Sequence, residues 1–395
     1  MKPSHLLYAT AFSRALSTSA TGILLGSYLA ERGLRAAEIG WVVSAGLAST
    51  ALSAAVATFA GDRIGTRSFL CVLTLLNLLG VVGLAVAETP LLLGLSAFVG
   101  MLNGAGRDRG AALILEQAAL PAMTTNERRT SLIAGYTMLQ DIGHALGGLL
   151  AGFLSLARHE SVPHFGARLT LMSVAGFSAA ALALYLAFGA SLASSPKRSE
   201  SGISAQSRDF LLRVCALFGL DSLAGGFVTT ALLSYFFFER FGVGASVVGP
   251  LFFAARLMNA VSHLGAAWLA KHIGLVNTMV FTHIPSSFLL ASVPFAPNFP
   301  VAVVLFLLRE GLVEMDVPTR QSYVFAVIQA QERTFASGIT NLVRLAGWAI
   351  APVFAGFLMQ GASLYVPLVV GAAMKIAYDL LLWRAFRSIK PPEER

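Results

Sequence analysis

Charge is what this sequence has least of. Asp, Glu, Lys and Arg make up 12% of its 395 residues, against roughly 25% in an ordinary soluble domain. Hydrophobic residues make up 56%, and mean hydropathy is +0.72. A soluble protein of this length has more surface than so few charges can cover. The same shortage excludes a disordered chain and a nucleic-acid binder. Cysteine is almost absent: Cys71 and Cys215 both fall in or beside apolar runs, which leaves no disulfide framework and no metal-ligand spacing. A phosphate-cradling Gly-rich loop and a Ser-His-Asp arrangement are missing too, which argues against direct ATP use and against an enzyme. No cofactor and no metal site is expected.

Long apolar runs are what the sequence has in abundance. A helix needs about 20 mostly apolar residues to cross a bilayer. Runs of that length recur at 6–30, 39–60, 69–87, 91–119, 130–156, 167–190, 210–238, 245–269, 276–295, 299–327, 334–359 and 363–386. They lack the ten-residue alternation of a barrel strand. The expected fold is therefore all-α and polytopic, with twelve transmembrane helices in two six-helix bundles, 1–190 and 210–395. The Ser-rich, charged stretch 191–209 joins them as a cytoplasmic linker. The first run is too long and too studded with polar residues for a signal peptide and reads as a retained span.

Basic residues in short loops set orientation. With a cytoplasmic N-terminus, the inner segments hold Lys2, Arg63, Arg67, Arg128, Arg129, Lys197 and Arg198 among others, and the outer ones only Arg32, Arg35, Arg158, Arg168 and Arg240. Both termini are thus expected inside, in a multi-pass protein of the cell (inner) membrane. The halves also repeat each other. Ser27-Tyr28 before Glu31-Arg32 returns as Ser234-Tyr235 before Glu239-Arg240. Ile64-Gly65 returns as Ile273-Gly274, Asp108 as Asp316, and Ala151-Gly152-Phe153 as Ala355-Gly356-Phe357. Parallel repeats of this kind imply a pseudo-two-fold axis along the membrane normal.

The loop after the second span reads Gly61-Asp62-Arg63-Ile64-Gly65-Thr66-Arg67. It resembles the Asp-Arg-x-Gly-[Arg/Lys]-[Arg/Lys] signature of the major facilitator superfamily, with Thr58 where that family often has its first Gly and Thr66 in place of one basic residue. Lys271-His272-Ile273-Gly274 keeps the Gly in the second half. Glu116 matches the acidic position the family carries near the inner end of the fourth span. The resemblance implies a transporter fold. It also implies a conformational latch of Asp62, Arg63, Arg67 and Glu116, in which the arginines pair with acids at neighbouring helix ends. The bland alternative is that these residues only fix topology.

A charge in the bilayer centre costs several kcal/mol, yet sixteen ionisable residues lie within the expected spans. Eleven of them fall on spans one, four, seven and ten, the cavity-lining helices of the resembled family. Arg14, Arg107, Arg109, Arg256, Arg309, Glu310, Glu314 and Arg344 are the candidate substrate-binding residues. Asp221, Asp141 and Glu310 are the candidates for proton coupling, since a desolvated carboxyl can carry a proton. On a helical wheel Arg309, Asp316 and Arg320 share one face of the tenth span, beside a Glu310–Glu314 stripe. Arg14 and Asp221 are equivalent in the two halves and are expected to pair, either as a link broken by substrate or proton or as a static tie. Asp141 is alone near the middle of the fifth span, with His144 one turn on; it reads equally as a helix-packing residue. Lys375 and Asp379, four apart, are expected to neutralise each other. Gly100, Gly104, Gly106 and Gly110 read as packing positions, Gly143, Gly147, Gly148 and Gly152 as points of close helix approach, and Phe236, Phe237 and Phe238 as lipid or interface contacts. Exporters of the resembled family carry a Gly-Pro-rich motif in the fifth span; the glycines are here without the Pro.

The expected function is secondary active transport of a small organic solute, anionic or zwitterionic because Arg is plentiful, by alternating access and with proton coupling. The expected partners are the solute, protons and the lipid bilayer, with the chain as a monomer. The alternatives are proton-driven efflux of lipophilic compounds and a non-transporting sensor on the same scaffold.

Overall fold

The structure is a computed structural model and describes residues 3–124, 126–188, 204–315 and 332–386. The described residues form α-helices, short 3-10 turns and loops, with no strand among them. In chain order the helices are α1 (Pro3–Glu31), α2 (Ala36–Ile64), α3 (Thr66–Val86), α4 (Pro90–Gly100), α5 (Ala111–Ala119), α6 (Asn126–Leu154) and α7 (Phe165–Phe188). They continue as α8 (Ala205–Gly226), α9 (Thr230–Phe241), α10 (Ala245–Ile273), α11 (Leu275–Ser292), α12 (Phe299–Val313), α13 (Arg333–Gly361) and α14 (Val366–Phe386). Eight helical stretches are long and apolar enough to cross a membrane. Most of the linker 191–209, together with Asp316 and Arg320, lies outside the described residues.

Helix ends follow local chemistry and repeat between the halves. Gly65 (φ 84°) separates α2 from α3, and Gly274 (φ 83°) separates α10 from α11; the left-handed region is nearly closed to other residues. Thr89 caps α4 by accepting from the Leu92 amide at 3.3 Å, with Pro90 next. Asn298 caps α12 by accepting from Val301 at 3.1 Å, with Pro300 beside it. Such caps satisfy amides that have no partner inside the helix.

Two expected spans are interrupted. The fourth consists of α4 and α5 with residues 101–110 unwound between them, and the seventh of α8 and α9 with a break at 227–229. The sequence reading as continuous helices is corrected here by Gly106 (φ 69°), by Met101 in a left-handed conformation (φ 51°), and by Thr229, which restarts a helix as the N-cap of α9.

The described residues group into two units. One gathers those of Met1–Arg198 with Thr229–Phe253 and Pro352–Gln360. Its core includes Leu6, Leu7, Phe69, Leu70, Leu115, Tyr136 and Tyr185. Here α6 lies close on α1: a Cβ at Gly143 would stand 2.7 Å from the Phe12 carbonyl. Phe236 and Phe237 of this unit are fully buried, which agrees with the interface contact and not with the lipid contact among the two expected roles. Leu79, Phe59 and Phe153, by contrast, are exposed, an apolar exterior suited to lipid. The other unit gathers Ser199–Val228, Ala254–Ala351 and Gly361–Arg395, as far as they are described. Its core joins Val214 and Phe218 of α8 to Met279 and Val280 of α11 and Tyr378 and Leu382 of α14.

Candidate functional site

The face of α1 that turns inward carries Thr10, Arg14, Ser17 and Thr21, at the three- and four-residue spacing of one helix side. Opposite stand Thr50 of α2, Thr74 and Asn77 of α3, the 101–108 segment, the start of α5, and Ser178 and Tyr185 of α7. Together they enclose a cavity of about 100 Å³ inside the first unit. That is room for several water molecules. Ser and Thr hydroxyls recur along its wall between apolar side chains.

Arg14 is the centre of the site. Its Nε donates to Asp108 Oδ2 at 2.5 Å, and its Nη2 to Glu116 Oε2 at 2.7 Å and to the Tyr136 hydroxyl at 3.1 Å. Nη1 is left without a partner among the described residues. The Arg14 side chain is 20% exposed, that of Asp108 5%, and that of Glu116 not at all. Glu116 also accepts from Thr10 at 2.8 Å, from Tyr136 at 2.6 Å and from Tyr185. Four donors on two carboxylate oxygens fill their lone pairs. Breaking a buried pair of this kind leaves a bare charge and is strongly unfavourable. Asp108 accepts from Gln140 Nε2 at 3.3 Å, while its own amide donates to His144 Nε2 at 2.9 Å. On the same wall the Ser17 hydroxyl is buried without a partner.

The break between α4 and α5 places Asp108. Asn103 folds the chain: its Oδ1 accepts from the Ala105 amide at 2.9 Å, its carbonyl from the Gly106 amide at 3.1 Å, and its Nδ2 donates to the Arg107 carbonyl at 2.6 Å. Side-chain closure of this type is the usual Asn turn. The unwound backbone meets the start of α9 within the same unit. The Ala231 amide donates to the Gly104 carbonyl at 2.9 Å, and Thr230 Oγ1 to the Ala105 carbonyl at 2.8 Å. Gly104 and Gly106 are therefore more than packing positions. Broken membrane helices are where carriers commonly hold polar cargo, because backbone groups are freed there.

The remaining candidates divide as follows. Arg107 and Arg109 are half-buried in the unwound segment. In the second unit, Arg309 pairs with Glu310, which also accepts from Asn259 Nδ2 at 2.9 Å. Arg256, Glu314 and Arg344 are half-buried there. Asp141 is exposed on α6, and it is His144 that turns inward. Arg14 and Asp221 each have partners within their own unit, with Lys375 Nζ donating to Asp221 Oδ1 at 3.0 Å. The hydrogen bond of Lys375 thus goes to Asp221, while Asp379 is held by His283 at 2.9 Å and also bears the charge of Lys375.

The residues of the expected latch are placed as follows. Glu116 is engaged by Arg14 and the tyrosines, and Arg67 donates to the carbonyls of Tyr185 and Leu186 at 3.2 and 2.5 Å. Arg63 is exposed in the last turn of α2. The Asp62 side chain lies outside the described residues. Sequence reasoning missed Thr10, Ser17, Tyr136, Gln140 and Tyr185 as site residues. The signal for the first two was a run of Ser and Thr at helical spacing around Arg14.

Long apolar helices around an ion-paired, hydroxyl-lined cavity define a membrane carrier of small molecules. The comparisons agree: residues 7–313 match the model of the Major Facilitator Superfamily, and the chain belongs to that family. It is a transporter and not an enzyme. It is similar to the uncharacterised membrane protein YJR124C of Saccharomyces cerevisiae, at 23% identity, covering 95% of this chain and 92% of that protein. Among solved structures it is similar to the nucleoside transporter NupG (TM-score 0.75, 14% identity, 97% of this chain and 99% of that one). A D-xylose-proton symporter is comparably similar (TM-score 0.74, 14% identity, 96% and 97%).

Proposed function

We propose that this protein is a secondary active transporter of a small, zwitterionic or anionic organic solute, driven by protons across the cell (inner) membrane. The chain works as a monomer with both termini in the cytoplasm. Its halves 1–190 and 210–395 alternate about the linker 191–209. The observation that carries this reading is the Arg14–Asp108 pair at the cavity wall. Arg14 is already matched by two carboxylates, so a bare anion gains little there. A solute bearing both signs can exchange partners with the pair, its carboxylate taking the free Nη1 of Arg14 and its ammonium facing Asp108. Ser17 offers a further open hydroxyl. A proton-driven carrier among the similar structures, the D-xylose-proton symporter, supports the choice of driving ion. Of the coupling candidates, Asp221 is buried and paired to Lys375, so it would act through that lysine and not by taking the proton itself.

Thermal stabilisation in detergent tests the solute class, since anything that binds the folded form raises its apparent stability. Amino acids, organic acids, sugars, nucleosides and lipophilic cations form the panel. Stabilisation by zwitterions or organic acids is expected, lost in Arg14→Lys and weakened about fivefold in Ser17→Ala, the worth of one hydrogen bond. Stabilisation by lipophilic cations alone would favour drug efflux. The stabilising solute is then followed into proteoliposomes with and without a pH gradient. A folded protein that binds but moves nothing would be a sensor.

A further inference from the structure

Inside the second unit, four ionisable side chains stand in a row. Lys375 of α14 donates to Asp221 of α8 at 3.0 Å, and its Nζ lies 3.4 Å from His283 Nε2 of α11. His283 Nδ1 faces both oxygens of Asp379 of α14, at 2.9 and 3.1 Å. His283 is 2% exposed and Asp379 not at all. The surroundings are Val214 and Phe218 of α8, Met279 and Val280 of α11, Ala336 of α13 and Leu382 of α14. The charges that bear on Asp379 are those of His283, Lys375 and Asp221. Among the other titratable groups, Tyr378 stands edge-on to the imidazole with ring centroids 6.2 Å apart, and Cys215 borders the apolar cluster. Arg309 and Glu310 of α12 pair with each other.

The partners fix the tautomer. A carboxylate can only accept, so Nδ1 carries the hydrogen, and an ammonium can only donate, so Nε2 is the bare nitrogen. The imidazole is neutral in this arrangement, with its basic lone pair turned to Lys375. A proton arriving at Nε2 would set two donors against each other across 3.4 Å. The lysine has a second acceptor already in place, Asp221, and the new imidazolium has Asp379 behind it. Both states are thus provided with partners, and they differ in whether Lys375 touches the ring.

We infer that His283 Nε2 is a proton-binding site of this carrier, and that taking up the proton drives Lys375 off the imidazole while its bond to Asp221 stays. As the site of coupling it rests on the proton-driven reading above; as a proton site it stands on its own geometry. The proton enters from water as hydronium and forms the Nε2–H bond. Lys375 keeps its three protons, and the cluster gains one positive charge.

The full-length protein, labelled with ¹⁵N-histidine and reconstituted in lipid bilayers, tests this by solid-state NMR. Seven histidines are present, and His283→Gln assigns the ring by loss of its signals. The wild-type ring is expected to pass from the neutral Nδ1–H form at about pH 8 to imidazolium at about pH 5. In Asp379→Asn the imidazolium signal should be lost at about pH 5. In Lys375→Met, which removes the opposing ammonium, it should persist at about pH 8. Opposite responses to the two variants are what charge control demands and what a packing role would not produce. A ring neutral throughout, or charged throughout, in folded wild-type protein overturns the site. The vesicle assay reads coupling separately: pH-driven flux with a ring that never titrates refutes His283 alone, whereas a titrating ring without pH-driven flux refutes the proton-driven reading.

Discussion

Glu116 and Lys375 show what single residues do in this chain. Glu116 has no exposure and accepts from four side chains on three helices: α1 gives Thr10 and Arg14, α6 gives Tyr136 and α7 gives Tyr185. Glu116→Gln removes the charge and places an amide donor where only donors converge. A loss of about 3 kcal/mol is expected, the lower range for breaking a buried ion pair, measured by unfolding in detergent. A variant as stable as the parent would mean that the tyrosines and Arg14 find other partners. The sequence shows Glu116 as an intramembrane acid but cannot show its partner, because the distance along the chain to Arg14 is 102 residues. Lys375 teaches the same lesson from the other side. Helical spacing pairs it with Asp379, yet the packing of α14 against α8 and α11 brings Asp221 and His283 nearer. Local spacing loses when a tertiary partner fills the site.

Among the elements, the two broken helices matter most. Apolar content predicts a helix across 91–119 and across 210–238, and it is right at the ends of each. The breaks follow from turn chemistry that hydropathy ignores: Asn103 with Gly104 and Gly106 in one, Thr229 as a cap in the other. Gly106 needs its positive φ, and a Cβ there would also stand 2.7 Å from Thr230 Oγ1. Gly106→Ala should therefore cost at least about 1–2 kcal/mol and loosen the Thr230–Ala105 bond. Gly176 in α7 has nothing within 4 Å of an added Cβ, so Gly176→Ala should be neutral or stabilising by up to about 1 kcal/mol. Thermal unfolding of the two variants side by side checks the pair. Equal stability would show that the break tolerates a side chain and does not depend on glycine.

For the whole molecule, the repeat was readable as paired motifs, and the structure adds paired helix ends: Gly65 with Gly274, and the caps Thr89 and Asn298. What the repeat does not announce is the grouping of Thr229–Phe253 and Pro352–Gln360 with the first 198 residues. That grouping depends on glycines that let backbones touch. A Cβ at Gly356 would lie 3.1 Å from the Cα of Ala37, and the Ala37 amide donates to Gln360 at 3.2 Å. If alternation requires these segments to part, then Ala37→Cys with Gln360→Cys, in a background where Cys71 and Cys215 are Ser, should stop flux when bridged by a short reducible bis-thiol linker and restore it on reduction. Undiminished flux with the bridge formed would show that this contact stays shut throughout the cycle.

The hydrogen bond from the Ala231 amide to the Gly104 carbonyl carries one more consequence. Ala231 begins a helix, where an amide has no partner within its own turn, so its hydrogen bond runs to a neighbour's unwound backbone, in a place closed to water. Whenever the two breaks separate, that single amide becomes labile. Its exchange rate is a clock for the opening of this end of the unit, built into the chain and legible without any attached probe.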